Sequence, residues 1–176
     1  MKLSDDFFQI MQVPEAYEVD AQTLSDNYLN LQRQFHPDRF AGKSAQEQRL
    51  AVQLASAVNQ AYDTLRSPLL RAAYLLGQRG LDSSGENTTV NDVDFLMSQM
   101  ALREQLAAVT TAPDPFAELA PIAGQVSAQL SALEAQFAEQ YGRQAFDVAA
   151  HTLIKMQFYN KLQLEVDELE ESLDDV

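Results

Sequence analysis

The chain has 176 residues, 46% of them hydrophobic and 22% charged, enough to bury one or two small cores and too apolar for disorder throughout. Its net charge of −14 removes the basic surface with which proteins neutralise phosphate, so nucleic acid is excluded as a partner at the level of the whole chain. The absence of Cys and the presence of only 2 His exclude a disulfide framework, a thiol nucleophile and a multi-Cys/His zinc site, and fit a reducing cytoplasm. The start MKLSDDFFQIMQV lacks a basic n-region, and no run of about 18 apolar residues occurs, so neither secretion nor a membrane span is expected.

The first segment, Phe7 to Met11, is short, apolar and stopped by Pro14, and Asp20 is placed to cap the helix that follows. Leu24, Tyr28, Leu31 and Phe35 recur at helical spacing and share one face. Pro37 biases His36 away from helical geometry and has no N–H to donate, so that helix ends at His36. Ser44 and Glu47 have the spacing of a capping box, and Leu50, Leu54, Val58, Ala61 and Leu65 supply the stripe of a second long helix. Two such stripes joined by a short polar loop bury themselves best against each other, as an antiparallel hairpin. Ser67 and Pro68 then open a short helix, Leu69 to Leu76, which Gly77 or Gly80 ends.

Beyond this point the charge changes. Residues 1–80 hold 8 basic and 9 acidic side chains, residues 81–176 hold 4 and 17, and the polar run 80–91 between them reads as a linker. The expected units are therefore 1–79 and 92–176. In the second, Asn91 or Asp92 caps a helix to about Val109, and 110–115 is a turn-rich break. Leu119, Ile122, Val126, Leu130, Leu133 and Phe137 mark the next helix, with Pro121 tolerated only near its start or at a kink. After Gly142, Phe146, Ala149, Leu153 and Met156 begin a third, which Leu162, Val166, Leu169 and Leu173 carry through an acidic stretch. No segment alternates as a strand would, so the fold class is all-α, a helical hairpin followed by an antiparallel three-helix bundle.

His36-Pro37-Asp38 is too short to be decisive alone, but it stands at the tip of the predicted hairpin with Arg33, Arg39 and Lys43 close by. With QRQFHPDRF closing one helix and NQAYDTLRSP closing the other, residues 3–76 resemble the J-domain family. Continuing through PLLRAAYLLGQRG, DFLMSQMALREQL and KMQFYNKL, nearly the whole chain is similar to HscB-type J-domain co-chaperones of iron–sulfur cluster assembly. The resemblance implies that the loop docks on a 70-kDa heat-shock-type chaperone and promotes ATP hydrolysis there. The chain itself would then be no enzyme and hold no cofactor. In that setting Asp38 suits a charge-assisted bond from a partner arginine, His36 and Pro37 shape the loop, and Arg33, Arg39 and Lys43 steer the encounter. Without the resemblance, the tripeptide is a helix stop with solvated side chains, and each cation is an ordinary surface charge.

In the first helix of the second unit, Phe95, Leu102, Leu106 and Val109 share one side, expected to be core. Val93, Leu96, Met97 and Met100 lie roughly opposite, with Glu104 beside them. Either two neighbouring helices bury both faces, or the outer one is incidental, or it binds a partner; flexible thioethers favour the last. The resemblance implies that Leu96, Met97, Met100 and Glu104, with Phe158 from the last helix, bind the iron–sulfur scaffold protein, although Ala101 and Ala108 stand where further acids are expected. A J-domain co-chaperone with a different client is the alternative. A helical enzyme is disfavoured, because no phosphate-cradling Gly-rich loop, metal-ligand cluster or catalytic nucleophile is evident. His151, lone and within a helix, reads as a packed or surface residue.

Overall fold

Polar side chains fix where most of the helices begin. The computed structural model describes residues 5–81 and 92–174. Asp6 opens α1 (Phe7–Met11) with a capping box, its carboxylate accepting the Gln9 N–H at 2.8 Å and its own N–H donating to the Gln9 side chain at 3.2 Å. Gln12 closes α1 in the left-handed region, φ 57°, so the helix stops before Pro14 is reached. Asp20 caps α2 (Ala21–Phe35), accepting the Thr23 N–H at 2.9 Å. At His36 ψ swings to 130°, as the following proline demands, and Pro37–Phe40 make one 3₁₀ turn. Ser44 and Glu47 form the expected capping box at the start of α3 (Ala45–Arg66).

The α2–α3 hairpin is held by buried Leu24, Leu31, Val58, Ala61 and Leu65. Leu50 departs from the expected stripe: it is exposed, and Ala51 is buried in its place. Ala51, Val58 and Leu65 are seven residues apart and hold one buried line, whereas Leu50 lies about 100° round the helix from that line. Across the hairpin the Tyr28 and Tyr62 rings stack at 4.0 Å, and Gln32 Nε2 donates to Asn59 Oδ1 at 2.5 Å and Tyr28 Oη at 2.8 Å. Gln32 and Asn59 sit outside the apolar stripes and carry no periodic signal.

In α4 (Pro68–Gln78), Tyr74 stacks on Phe7 at 4.4 Å and its hydroxyl accepts the Phe7 N–H at 3.0 Å. Gly77 remains helical. Gly80, at φ 75°, makes the turn, with Leu81 N–H bonded to the Leu76 carbonyl at 3.1 Å and Gly80 N–H to that of Gly77 at 3.0 Å, a Schellman closure. The chain forms two compact units, Met1–Leu75 and Leu76–Val176, so the divide falls inside α4 and ahead of the run 80–91 that the charge pattern marks as a linker. Positions 82–91 of that run lie outside the described residues.

The second unit contains α5 (Val93–Val109), α6 (Pro115–Gly142) and α7 (Phe146–Asp174). Asp92 caps α5, and Asp114 caps α6 with Pro115 in its first position. Pro121, the seventh residue of α6, cannot bond the Ala117 carbonyl, yet the helix continues through it. α6 packs along α7 around Leu119, Val126, Phe137, Leu153, Met156 and Leu162, all at most 1% exposed. α5 adds Phe95, Leu102, Leu106 and Val109, the four residues expected as its core side. Asp92 meets Lys155 and Arg103 meets Glu165, so α5 and α7 run parallel with α6 returning between them. Among the described residues no strand occurs and no helix is long and apolar enough to cross a membrane.

Candidate functional site

The hairpin tip exposes its candidate binding groups and braces the turn from behind. Arg33, His36, Pro37, Asp38, Arg39 and Lys43 are all exposed, and the Asp38 side chain keeps 91% of its accessible surface. The Asp38 N–H donates to His36 Nδ1 at 3.3 Å, which places the imidazole as the cap of the 3₁₀ turn and requires a lone pair on Nδ1. The Asp38 carboxylate is 3.6 Å from the same nitrogen but remains open to solvent. Arg39 Nη1 donates to the Arg33 carbonyl at 3.2 Å, satisfying a group left unpaired at the end of α2. On the return side, Gln48 Nε2 donates to the carbonyls of Ala41 and Lys43 at 3.2 and 3.0 Å. Arg33, His36 and Arg39 gather with Leu29 and Gln32 around a shallow open groove of about 360 Å³; Lys43 stands apart on the return loop.

The second surface lies on α5. Val93, Leu96, Met97 and Met100 are 66%, 47%, 64% and 73% exposed, and Glu104 is exposed with them, so no neighbouring helix covers that side. Burial of both faces, one of the readings the sequence allows, is thereby removed. Phe158 is half-buried, edge-on to Phe95 at 5.6 Å, with the Arg103 guanidinium 5.7 Å from its ring centroid. It therefore joins the edge of the α5 face rather than its middle. Ala101 and Ala108 are exposed and bring no charge.

Asp92, one residue before α5, accepts from Lys155 Nζ at 2.5 Å and from the Phe95 N–H at 2.9 Å. The lysine first, and the helix N–H second, hold its carboxyl below the usual range. His151 is exposed, with Nδ1 2.8 Å from the Asp147 carbonyl, an ordinary surface histidine. No cluster of His, Cys, Asp and Glu able to hold a metal occurs among the described residues.

Over 170 residues, 97% of this chain and 98% of the relative, the sequence is 39% identical to the co-chaperone protein HscB of Proteus mirabilis. The chain belongs to the HscB family of co-chaperones. Its fold is similar to chaperone HscB from Vibrio cholerae, with a TM-score of 0.86 and 38% identity, covering 96% of this chain and 99% of that one. It is also similar to human co-chaperone protein HscB, with a TM-score of 0.85 and 26% identity, covering 95% and 83%. Residues 91–167 match the family model described as the HSCB C-terminal oligomerisation domain. Sequence reasoning about this HscB-family chain missed the supports of both surfaces: Gln48 and the Arg39–Arg33 contact at the tip, and Asp92–Lys155 and Arg103–Glu165 behind Phe158. Of these, only the capping position of Asp92 left a trace in the sequence.

Proposed function

We propose that this protein acts in iron–sulfur cluster assembly, stimulating ATP hydrolysis by a 70-kDa heat-shock-type chaperone and delivering the scaffold protein to it. The observation that carries the proposal is the exposed, internally braced His36-Pro37-Asp38 turn at the tip of the α2–α3 hairpin in a chain of the HscB family. A carboxylate with 91% of its side-chain surface free suits a partner arginine, and Arg33 and Arg39 beside the groove suit an acidic surface. The exposed apolar side of α5, in the second unit, offers the scaffold a surface made of residues other than those of the loop. The protein contributes contacts, and the chaperone contributes the hydrolytic chemistry. Steady-state phosphate release by the chaperone, with and without scaffold, tests this. Stimulation should vanish in Asp38→Asn, and scaffold should enhance stimulation only when the α5 face is intact. Wild-type stimulation by Asp38→Asn refutes the loop's role, and enhancement that survives loss of the α5 face points to a different client.

A further inference from the structure

Two ion pairs cross from α5 to α7 with opposite polarity. Near its start, α5 contributes the acid Asp92 and α7 the base Lys155, at 2.5 Å; about three turns later, α5 contributes the base Arg103 and α7 the acid Glu165, at 3.9 Å. Phe158 lies between the two pairs. It meets the Phe95 ring edge-on, Lys155 Nζ sits 5.2 Å from the centroid of that same Phe95 ring, and the Arg103 guanidinium lies 5.7 Å from the Phe158 centroid. We propose that these opposed pairs form a register lock that positions Phe158 against α5 and holds the first turns of α5, making Lys155 and Arg103 positioning residues for the scaffold-binding face. This inference rests on the scaffold-binding reading above.

The physical case is one of specificity. Sliding α7 along α5 by a turn separates both pairs, and reversing α7 would set Asp92 against Glu165 and Arg103 against Lys155, like charge on like. An apolar seam alone does not discriminate registers so sharply, because leucines and methionines repack. The lock also acts where a helix is weakest. The first N–H groups of α5 have no helical acceptor, and Asp92 serves the Phe95 N–H while being fixed by Lys155. Val93, Leu96 and Met97 project from those turns, so their placement depends on the turns being formed. Three of the four cations in residues 81–176 lie on α5 or α7 between Arg103 and Lys161, and two of them are engaged at this seam.

The test measures amide hydrogen exchange in the scaffold-free protein and calorimetric titration with the scaffold protein. Lys155→Met should speed exchange at Phe95 and Leu96 and weaken scaffold binding by about threefold, the scale of a half-exposed pair. Asp92→Asn, which keeps an oxygen for the Phe95 N–H, should do the same more mildly. Arg103→Glu should weaken binding by about three- to fivefold, and the swap Arg103→Glu with Glu165→Arg should restore it to within about twofold. Unchanged exchange in Lys155→Met overturns the lock. Faster exchange with unchanged affinity overturns its positioning role, and failure of the swap to restore binding transfers Arg103 to direct partner contact. The scaffold-binding reading fails separately, when replacing Leu96, Met97 and Met100 leaves affinity untouched while the exchange response persists.

Discussion

Replacing Leu96, Met97 and Met100 together by Ala separates the two faces of α5. These side chains are 47%, 64% and 73% exposed, so little packing is lost in the free protein, and Ala favours a helix at least as well as Leu or Met. The melting temperature should shift little, since exposed substitutions cost within about 0.5 kcal/mol each. Binding is different. Full burial of a Leu or Met is worth about 1.5 to 3 kcal/mol, and the surface these three still expose is roughly half to three-quarters of each, or about 3 to 5.5 kcal/mol if the scaffold covers all of it. The ordering of the longer side chains on binding and the Cβ that Ala retains absorb part of that, leaving an expected loss of about 2 kcal/mol, close to a thirtyfold rise in Kd. Leu102→Ala is the control: at 1% exposure it should cost about 2 to 5 kcal/mol of stability. Phe158 is left out of the triple because its contacts with Phe95 and Arg103 would mix the two effects. Calorimetric titration and thermal melting of the same samples decide the matter. Wild-type affinity, or a stability loss matching that of Leu102→Ala, refutes the assignment of this face to binding.

His36→Gln and Asp38→Asn should leave circular dichroism and melting almost unchanged while abolishing ATPase stimulation, because both side chains are more than half exposed and have little packing to lose. A fragment ending at Leu81, which retains the Schellman closure of α4, should fold alone by NMR and stimulate the chaperone at high concentration without scaffold enhancement. Acid should loosen the caps. Asp20, Glu47 and Asp92 are held below their ordinary values by Thr23, Ser44 and Lys155 respectively, so their contribution is full above the unfolded values of 3.8 for Asp and 4.5 for Glu and is lost as pH falls through the lower folded values. Melting temperature should therefore decline in acid below about pH 4.5, and less steeply in Asp92→Asn. Chaperone stimulation below saturation should fall as salt rises from about 50 to 300 mM, whereas scaffold affinity should change less, since the first is steered by Arg33 and Arg39 and the second is mainly apolar.

Helix existence and the caps at Asp20, Ser44 and, as one of two candidates, Asp92 were legible because each depends on a local physical rule: an oxygen acceptor before an apolar repeat; the cap at Asp114, inside a stretch read only as a turn-rich break, was not read. The hairpin tip was legible for a similar reason, since the proline at 37 constrains its predecessor wherever the rest of the chain goes. Leu50 was misread because a stripe with 3.6-residue periodicity admits more than one line when apolar residues are dense, and only the neighbour selects which line is buried. The long-range polar contacts were invisible for a different reason. Gln32 with Asn59, 27 residues apart, and Asp92 with Lys155, 63 apart, follow from the packing and cannot precede it.

The two surfaces differ in what supports them. At the tip, backbone and side-chain hydrogen bonds shape a short polar turn, so Asp38 can remain almost wholly solvated and still be aimed. On α5, the apolar face is exposed because the opposite side is already spent on Phe95, Leu102, Leu106 and Val109. That helix has no broad hydrophilic side, and such a helix is stable in water only if its inner side packs well enough to offset the exposed one. The seam to α7 supplies that hold at the edge where Phe158 emerges, through charges whose order allows a single alignment. Residues 81–176, with 17 acids and 4 bases, thus engage two of those bases at this seam, and on the proposed reading the α5 face is recognised by shape and apolar contact more than by charge.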